Sequence, residues 1–314
     1  MRLTLIHNPT AGSGRPSGDE LVSWLRAVGY DVRYQSTKAD GVEHALDDPG
    51  DLVLVAGGDG AVADVAKRLV GRGTPLGILP IGTANNIAHS LGVHGSPREL
   101  VDALRPERLP RAQHAALTVG VARAPWGESR FVEAAGVGLF TALLRDADRA
   151  KHKRRRANTA GRTDKVEQGR RRLRRVFDSA LARRRLVEAD GEDLSGNYLM
   201  AEVLIVPSIG PRVTLAPQAG RGDGYLSLVL LPEVDRAAFG EYLTALAGRR
   251  DAVSPLAVRR VRRACLSWEP GDGHLDDEPW PRASAAPSDV GDPSYAKVEI
   301  AILDPPLDVF TVRG

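Results

Sequence analysis

The sequence predicts an α/β + β protein, with an N-terminal Rossmann-like three-layer α/β domain built on a parallel sheet and a C-terminal β-sandwich domain. Three observations support this fold class. Short apolar runs alternate with segments of helical periodicity up to about residue 110. Beyond that point, apolar runs follow one another with few long helical segments between them, which is typical of antiparallel sheets. The chain has 314 residues, a length that favours two domains.

The first part of the chain consists of repeated strand–helix units. Val62, Val65, Ala66 and Leu69 recur at the spacing of one helix face. The alternation predicts a parallel sheet covered by helices, with ligands at the carboxyl ends of its strands. Strands are predicted at 3–6, 31–35, 52–56 and 76–79, with helices near 21–28, 41–46, 61–69 and 87–91.

The regular alternation of predicted strands and helices ends after Pro110. A helix is expected to reach Leu144, and the other apolar runs have strand length. We assign 1–112 to the first domain and 113–302 to the second, with a basic helical insertion at 145–188. We expect the tail, 303–314, to pack back on the first domain. The strands of the second part are predicted at 115–121, 131–135, 198–206, 225–231, 256–268 and 297–303.

The composition predicts an ordinary globular protein of the cytoplasm. Hydrophobic residues make up 42% and charged residues 26%, which suits a globular chain with a normal core. Its one cysteine, Cys265, excludes an internal disulfide. The sequence has no run of 18 apolar residues, and its N-terminal apolar run is too short for a signal peptide.

Positive charge is concentrated in one segment. Residues 145–185 contain 17 Lys and Arg against 5 Asp and Glu, whereas the whole chain has a net charge of only +3. One interpretation is a solvated helix with salt-bridging partners. A second is docking on an anionic membrane surface through Arg154, Arg155 and Arg156. Nucleic-acid binding is disfavoured because 154–185 contains a single aromatic residue, Phe177.

Two glycine-bearing turns follow predicted strands, at 57–60 (GGDG) and 80–83 (PIGT). Glycine lets the backbone approach a ligand closely, and helix N-termini attract phosphate. The pair therefore indicates a polyphosphate site, although ordinary βα turns also use glycine. Neither a P-loop nor a G-x-G-x-x-G fingerprint is present. The carboxylate of Asp59 suits Mg²⁺ binding or proton abstraction better than contact with bare phosphate.

These motifs resemble the diacylglycerol kinase catalytic domain family, which includes bacterial lipid kinases and sphingosine kinases and is related to NAD kinases. The resemblance rests on GGDG at 57–60, on PIGTANNIA at 80–88, and on Asn8-Pro9 followed by the Gly-Ser-Gly of 12–14. It implies an ATP- and Mg²⁺-dependent kinase that phosphorylates the hydroxyl of a diacylglycerol-like lipid at an anionic membrane surface. No nucleic-acid partner is expected, and an exposed strand edge would permit a homodimer.

The resemblance also assigns site residues. Asp59 and Glu278 become the candidate catalytic carboxylates, and Asp223 and Asp276 the candidate metal ligands. Each assignment has a structural alternative: a helix-capping role for Asp59, an Asx turn for Asn8, a hairpin turn for Asp223 and a solvated loop for the acids at 276–278. The candidate nucleotide-binding residues are Asn8, Pro9, Gly57, Gly58, Asp59, Gly60, Gly82, Thr83 and Asn85.

The sequence departs from the family pattern at several motif positions. Ala61 stands where threonine is usual, and Asp277 stands where the acidic D-G-E element has glycine. Ala63 and Asn86 likewise replace a usual asparagine and aspartate. These changes leave two alternatives open: a non-catalytic homologue that binds nucleotide or lipid, and, with less support, an NAD kinase.

Overall fold

The computed structural model describes residues 1–157, 165–220, 222–269, 271–281 and 296–311, with side chains described outside 151–157. The chain divides into two compact units. The first unit comprises Met1–Val119, Gly220–Asp223 and Leu303–Gly314, and the second comprises Gly120–Ala219 and Gly224–Ile302.

A parallel sheet forms the centre of the first unit. Its strand order is β2-β1-β3-β4, so the first strand in sequence lies inside the sheet. Val309, near the end of the last strand of the chain, pairs in parallel with Leu76 of the fourth strand. The strands are β1 (Arg2–His7), β2 (Asp31–Ser36), β3 (Leu52–Gly57) and β4 (Leu76–Pro80).

Two helices of the first unit begin at a serine capping box, and the N-cap residues of the other three make no side-chain capping hydrogen bond. The hydroxyl of Ser17 accepts a hydrogen bond from the Glu20 N–H, and the Glu20 carboxylate accepts one from the Ser17 N–H. The same reciprocal box joins Ser96 and Glu99 at a later helix. The helices are α1 (Gly18–Ala27), α2 (Val42–Asp47), α3 (Asp59–Leu69), α4 (Asn86–Ser90) and α5 (Pro97–Ala103).

Two antiparallel ladders form most of the second unit, beside the antiparallel pairs β5–β6 and β12–β13. One has the order β15-β14-β11-β7-β17-β18, with β8 also paired to β11. In the other, β9 and β10 continue from β16, which pairs with the first half of β19. The strands of the second half of the chain are β5 (Gln113–Ala124), β6 (Gly127–Phe131), β7 (Ala134–Gly138), β8 (Arg183–Arg185), β9 (Val187–Ala189), β10 (Glu192–Asp193), β11 (Gly196–Leu204), β12 (Ser208–Ile209), β13 (Val213–Thr214), β14 (Leu226–Pro232), β15 (Val258–Val261), β16 (Arg263–Trp268), β17 (Gly273–Leu275), β18 (Glu278–Pro279) and β19 (Ala296–Thr311).

Three helices accompany these ladders: α6 (Leu139–Ala157), α7 (Lys165–Asp178) and α8 (Arg236–Ala247). Phe177 of α7 packs edge-on against Phe239 of α8, with ring centroids 5.6 Å apart. Both side chains belong to the buried apolar cluster that also contains β7, β11 and β14 residues. None of the helices in the described ranges is both long enough and apolar enough to cross a bilayer.

The predicted fold class is confirmed, since parallel strands alternate with helices in the first unit and antiparallel ladders follow in the second. The single strand predicted at 256–268 is wrong. The structure has two strands there, β15 beside β14 and β16 beside β9 and β19. They separate where the carboxylate of Asp190 accepts the backbone N–H groups of Arg262 and Arg263, at 3.0 and 2.9 Å.

Candidate functional site

The carboxyl ends of β1, β3 and β4 bring three loops of the first unit together. The N–H of Asn8, which follows β1, donates to the Ala56 carbonyl at 2.9 Å. The Gly57 carbonyl accepts from the N–H groups of Ile81 and Gly82, at 3.1 and 3.2 Å. The loops that carry Asn8-Pro9, the GGDG turn and the PIGT turn are therefore neighbours through their backbones.

Glycine is required where these loops approach one another. A Cβ on Gly82 would lie 2.3 Å from the Gly58 Cα and 2.7 Å from the Asn85 Oδ1. A Cβ on Gly12, which has φ +53°, would lie 2.3 Å from the Ile81 carbonyl oxygen. No real side chain tolerates these distances, so the glycines of all three motifs allow their loops to pack closely.

Asp59 links two of the loops directly. It is the first residue of α3, and its Oδ1 accepts a hydrogen bond of 2.9 Å from the N–H of Ile87 in α4. Burial raises the pKa of the Asp59 carboxyl above its usual value, although backbone N–H groups of Ile87, Asn86 and Asn85 favour the charged form. The carboxylate thus caps the helix of the next motif, α4, whereas the structural alternative considered from sequence was a cap on Asp59's own helix.

The cap changes the prediction that both turns offer helix N–H groups to a polyphosphate. At α4, the Ile87 N–H is bound to Asp59. At α3, the N-cap residue is Gly58, which makes no side-chain capping hydrogen bond. The first N–H groups of a helix without a side-chain cap are the natural partners of an anion. Gly60 lies in this first turn, and contact of the GGDG turn with phosphate stays a prediction.

Asn85 holds the second turn in shape. Its backbone adopts a left-handed conformation with φ 54°, and its Nδ2 donates to the carbonyls of Pro80 and Gly82 at 3.1 and 3.2 Å. The Oδ1 of Asn85 is buried and has no hydrogen-bond partner among the described residues. A buried acceptor without a partner is costly, so this atom suits a donor group on a ligand.

Asn8 and Thr83 differ in their surroundings. The Oδ1 of Asn8 accepts from both the N–H and the hydroxyl of Thr10, at 3.1 and 2.9 Å. This is the Asx turn considered as the structural alternative for Asn8. Pro9 lies within that turn, half-buried, whereas Thr83 is exposed. The exposed hydroxyl of Thr83 lies in the same loop as Gly82.

The acidic element of the second unit forms the tip of the β17–β18 hairpin. Asp276 is 5% exposed and left-handed, with φ 53°, and its Oδ1 accepts from the N–H groups of Val132 and Glu133 at 2.8 and 2.7 Å. Asp277 and Glu278 are exposed. Asp277 is not among the residues with positive φ, so an aspartate fits where the family usually has glycine.

Asp223 lies in the short segment 220–223 that belongs to the first unit. The hairpin considered as its structural alternative does not form. The preceding strand, β13, pairs with β12, and the following strand, β14, pairs with β11 and β15. The neighbouring Gly222 has φ +65°, and a Cβ there would lie 2.9 Å from the Ala116 Cβ. The segment therefore packs tightly against the region of Ala116.

These residues fit a nucleotide better than a metal bound by protein alone. Close-approach glycines and the uncapped first turn of α3 suit phosphate, and the unsatisfied Asn85 Oδ1 suits a hydroxyl or amino donor elsewhere on a nucleotide. Within the described part of the chain, no three His, Cys, Asp or Glu side chains gather as a metal cluster. Mg²⁺ is commonly held by one or two carboxylates together with substrate phosphates. Asp59 and Asp223 are the predicted acids of the first unit that could serve this way.

Most of the basic charge on α7 is used inside the second unit. Arg170 donates to the carbonyls of Pro211, Arg212 and Leu246 at 3.0 to 3.2 Å. Arg174 also bonds within the unit, to Asp178 and Thr244. Arg154, Arg155 and Arg156 lie on α6, and their side chains are outside those described.

Sequence reasoning missed one pair of titratable groups. Glu202 and His274 are both 0% exposed, and the His274 Nε2 lies 3.2 Å from each carboxylate oxygen. Burial raises the pKa of Glu202, which His274 partly opposes. Burial alone would lower the pKa of His274, but the Glu202 carboxylate and Asp276 together outweigh burial and raise the pKa above its usual value. The available signal was one acid, Glu202, inside the apolar run 199–206.

Comparison with known proteins agrees with the geometry. Residues 2–116 match the family model described as the diacylglycerol kinase catalytic domain. This part of the chain is therefore similar to the diacylglycerol kinase catalytic domain family. The chain is 28% identical over 253 residues to a diacylglycerol kinase of Bacillus subtilis, covering 76% of each chain. It is 28% identical over 300 residues to a Stenotrophomonas maltophilia protein named "Probable lipid kinase YegS-like", covering 88% of this chain and 90% of that one.

The fold of both units resembles that of a solved structure. The crystal structure of a diacylglycerol kinase from Bacillus anthracis matches with a TM-score of 0.65 and 17% identity, covering 99% of this chain and 97% of that chain. The family model therefore accounts for the loops of the first unit, and the structural similarity accounts for the antiparallel second unit as well.

Proposed function

We propose that this protein is an ATP- and Mg²⁺-dependent lipid kinase that transfers the γ-phosphoryl group of ATP to the hydroxyl of a diacylglycerol-like lipid. The observation that carries the proposal is the three-loop arrangement of the first unit, in which Gly58 and Gly82 allow the backbone to approach a polyphosphate. The similarity of residues 2–116 to the diacylglycerol kinase family model and the names of the similar proteins support lipid as the acceptor class.

Each candidate residue has a role that its surroundings allow. The first turn of α3 offers N–H groups to phosphate, and Asn85 Oδ1 accepts from the nucleotide. Mg²⁺, when bound, would neutralise charge on the transferred phosphoryl group. Asp59 orients this site or accepts the proton of the attacking hydroxyl, and its raised pKa favours proton uptake. Glu278 is the second candidate base, and Asp223 and Asp276 remain candidate metal ligands.

The lipid is expected at an anionic membrane surface. The charge excess of 145–185 supports this, but the arginines of α7 that bind internal carbonyls and carboxylates contribute less to it than their number suggests. Arg154, Arg155 and Arg156 are therefore the first residues to replace. Substituting all three with glutamate should weaken sedimentation with anionic vesicles, and unchanged sedimentation would argue against this surface.

A non-catalytic nucleotide-binding homologue is the second candidate. One observation favours it: the carboxylate of Asp59 is already engaged in capping α4 through the Ile87 N–H. The departures at Ala61 and Asn86 agree with it, since each removes a side chain that the family pattern usually provides.

The deciding experiment combines purified protein with γ-labelled ATP, Mg²⁺ and a total bacterial lipid extract. We expect label in the organic phase, and no transfer when EDTA replaces Mg²⁺. Asp59→Asn keeps an oxygen acceptor for Ile87 but loses the charge, and we expect turnover to fall by orders of magnitude. Asp64→Asn is the matched control, because Asp64 is an exposed residue of the same helix.

The outcomes separate the candidates. Full turnover by Asp59→Asn would remove Asp59 from catalysis. Label that stays on ATP, with nucleotide binding still measurable, would favour the non-catalytic homologue. Transfer to added NAD instead of lipid would identify a soluble acceptor.

A further inference from the structure

The buried Glu202–His274 pair lies in one row across three neighbouring strands of the second unit. Glu202 of β11 and His274 of β17 are both register partners of Gly136 in β7, the strand between them. A Cβ on Gly136 would lie 2.0 Å from the Glu202 Oε2. The two side chains therefore meet over the space that the missing side chain of Gly136 provides.

The hydrogen bonds of the pair lead to the acidic hairpin. The His274 Nδ1 lies 2.9 Å from the carbonyl oxygen of Asp276, which can only accept, so Nδ1 carries a proton and donates it. The opposite nitrogen, Nε2, faces the Glu202 carboxylate at 3.2 Å. A carboxylate on the far nitrogen fixes the orientation of an imidazole and hence the direction of its donor.

The Asp276 backbone is held on other sides too. Its N–H donates to the Ala134 carbonyl at 2.7 Å, and its carboxylate accepts from the Val132 and Glu133 N–H groups. This support suits the left-handed backbone of Asp276, with φ 53°, a conformation that residues other than glycine adopt only occasionally. His274 adds a contact to the carbonyl of Asp276, which belongs to the following peptide unit.

Stability alone is a poor explanation for this pair. Burying two ionisable groups loses their hydration, and apolar residues of similar volume often replace such a pair without loss of stability. The hydrogen bonds of Glu202 and His274 instead connect β11 and β17 to the hairpin that carries the acidic residues 276–278. This arrangement is suited to fixing the orientation of the turn at Asp276.

We propose that Glu202 and His274 are positioning residues that fix the Asp276 turn and so hold the carboxylates of Asp276, Asp277 and Glu278 in one orientation for phosphoryl transfer. The inference rests on the proposed kinase function. It assigns roles to residues outside the recognised motifs, and neither is expected to touch the substrate.

Three variants are compared with the parent protein. They are a double variant that carries both Glu202→Leu and His274→Leu, the single variant Glu202→Gln, and the control Tyr242→Phe. The control removes another buried hydrogen bond of the second unit, from the Tyr242 hydroxyl to the Thr214 carbonyl at 2.7 Å, far in sequence from the hairpin. We expect the double variant to melt near the parent temperature, to keep its KM for ATP within about threefold, and to lose about a hundredfold in kcat.

A second readout does not depend on turnover. Hydrogen exchange should become at least tenfold faster at the amides of Val132, Glu133 and Asp276, which bond to the turn, while other β7 and β11 amides keep their rates. Glu202→Gln, which preserves volume, should show the same pattern with about a tenfold loss of kcat. It provides the test if the double variant does not fold.

Parent-like kcat together with parent-like exchange in the variants would overturn the inference, as would faster exchange spread evenly over the unit. If the parent protein transfers no phosphate, the kinase proposal fails by itself. Local exchange at the three amides would then still decide whether the pair holds the turn.

Discussion

Gly82 shows how much of the site depends on a missing methyl group. A Cβ there would lie 2.3 Å from the Gly58 Cα, a backbone atom that cannot turn aside. We expect Gly82→Ala to push the two loops apart, to lower the free energy of unfolding by about 1–3 kcal/mol, and to weaken ATP binding at least tenfold. Urea denaturation and calorimetric titration with ATP measure both effects.

The control for this substitution is Gly248→Ala. Gly248 ends α8 with φ −82°, and its added Cβ would meet nothing closer than 3.4 Å. The same chemical change should therefore leave stability and ATP affinity near the parent values. Equal behaviour of the two variants would mean that the loops of the first unit adapt to a side chain, contrary to their close approach here.

Single residues also mark the limit of sequence reasoning at the site. The sequence predicted that Asn8, Asp59 and Thr83 lie at one edge of the sheet, because the carboxyl ends of parallel strands share an edge. The cap that the Asp59 carboxylate forms on α4 could not be predicted, because its hydrogen bond to Ile87 joins residues 28 positions apart. The Glu202–His274 pair spans 72 positions and depends on which strands flank β7. Such contacts come from tertiary packing and leave little trace in local patterns.

At the scale of single elements, β1 ends in a buried titratable group. His7 is 1% exposed, its Nδ1 lies 3.1 Å from the Tyr34 hydroxyl of β2, and its Nε2 has no hydrogen-bond partner among the described residues. Burial lowers the pKa of His7 below its usual 6.5. The unfolded chain therefore binds a proton at a higher pH than the folded protein does.

The sign of the resulting pH dependence follows from linkage. As pH falls from about 6.5 toward the lowered pKa, the unfolded state gains the proton first, so folding stability decreases. We expect His7→Gln to lose less stability than the parent between pH 7.5 and pH 5.5. Urea midpoints at the two pH values measure this. An identical decrease in both proteins would show that His7 is not kept neutral by folding.

The helix α7 illustrates a basic element whose charge serves packing. Arg170 donates to three backbone carbonyls, of Pro211, Arg212 and Leu246. Removing the charged donor leaves two part-buried carbonyl acceptors without this partner, so we expect Arg170→Met to cost roughly 2 kcal/mol of unfolding free energy. Arg175→Met on the exposed side of the same helix should cost less than about 0.5 kcal/mol. Thermal denaturation of both variants checks the difference, and equal losses would contradict it.

Across the whole molecule, local patterns predicted more in the first unit than in the second. The alternation of strands and helices is a clear pattern in the sequence, and it predicted a fold class that the structure confirms. The break between β15 and β16 was missed because a side chain distant in sequence, Asp190, binds the backbone there. Helix α8 was also missed, since it lies between two apolar strands and is itself largely apolar on its buried face.

The first unit is assembled from three separate segments of the chain, and the last of them is Leu303–Gly314. Val309 pairs with Leu76 at the edge of the parallel sheet, and Phe310 packs against His114 with ring centroids 4.4 Å apart. Asp308 bonds the same His114 at 2.8 Å. The family model ends at residue 116, so it does not include this segment.

We therefore expect deletion of 303–314 to destabilise the first unit, although the deleted residues lie outside the family's motifs. Leu307, Val309 and Phe310 are buried, and the loss of three such side chains costs roughly 5 kcal/mol. Because domains are stable by only about 5–15 kcal/mol, ATP binding should be lost or severely weakened at 37 °C. Deletion of 312–314 is the control and should preserve both melting temperature and ATP affinity. If the longer deletion bound ATP as the parent does, 1–119 would form the nucleotide site without the C-terminal segment.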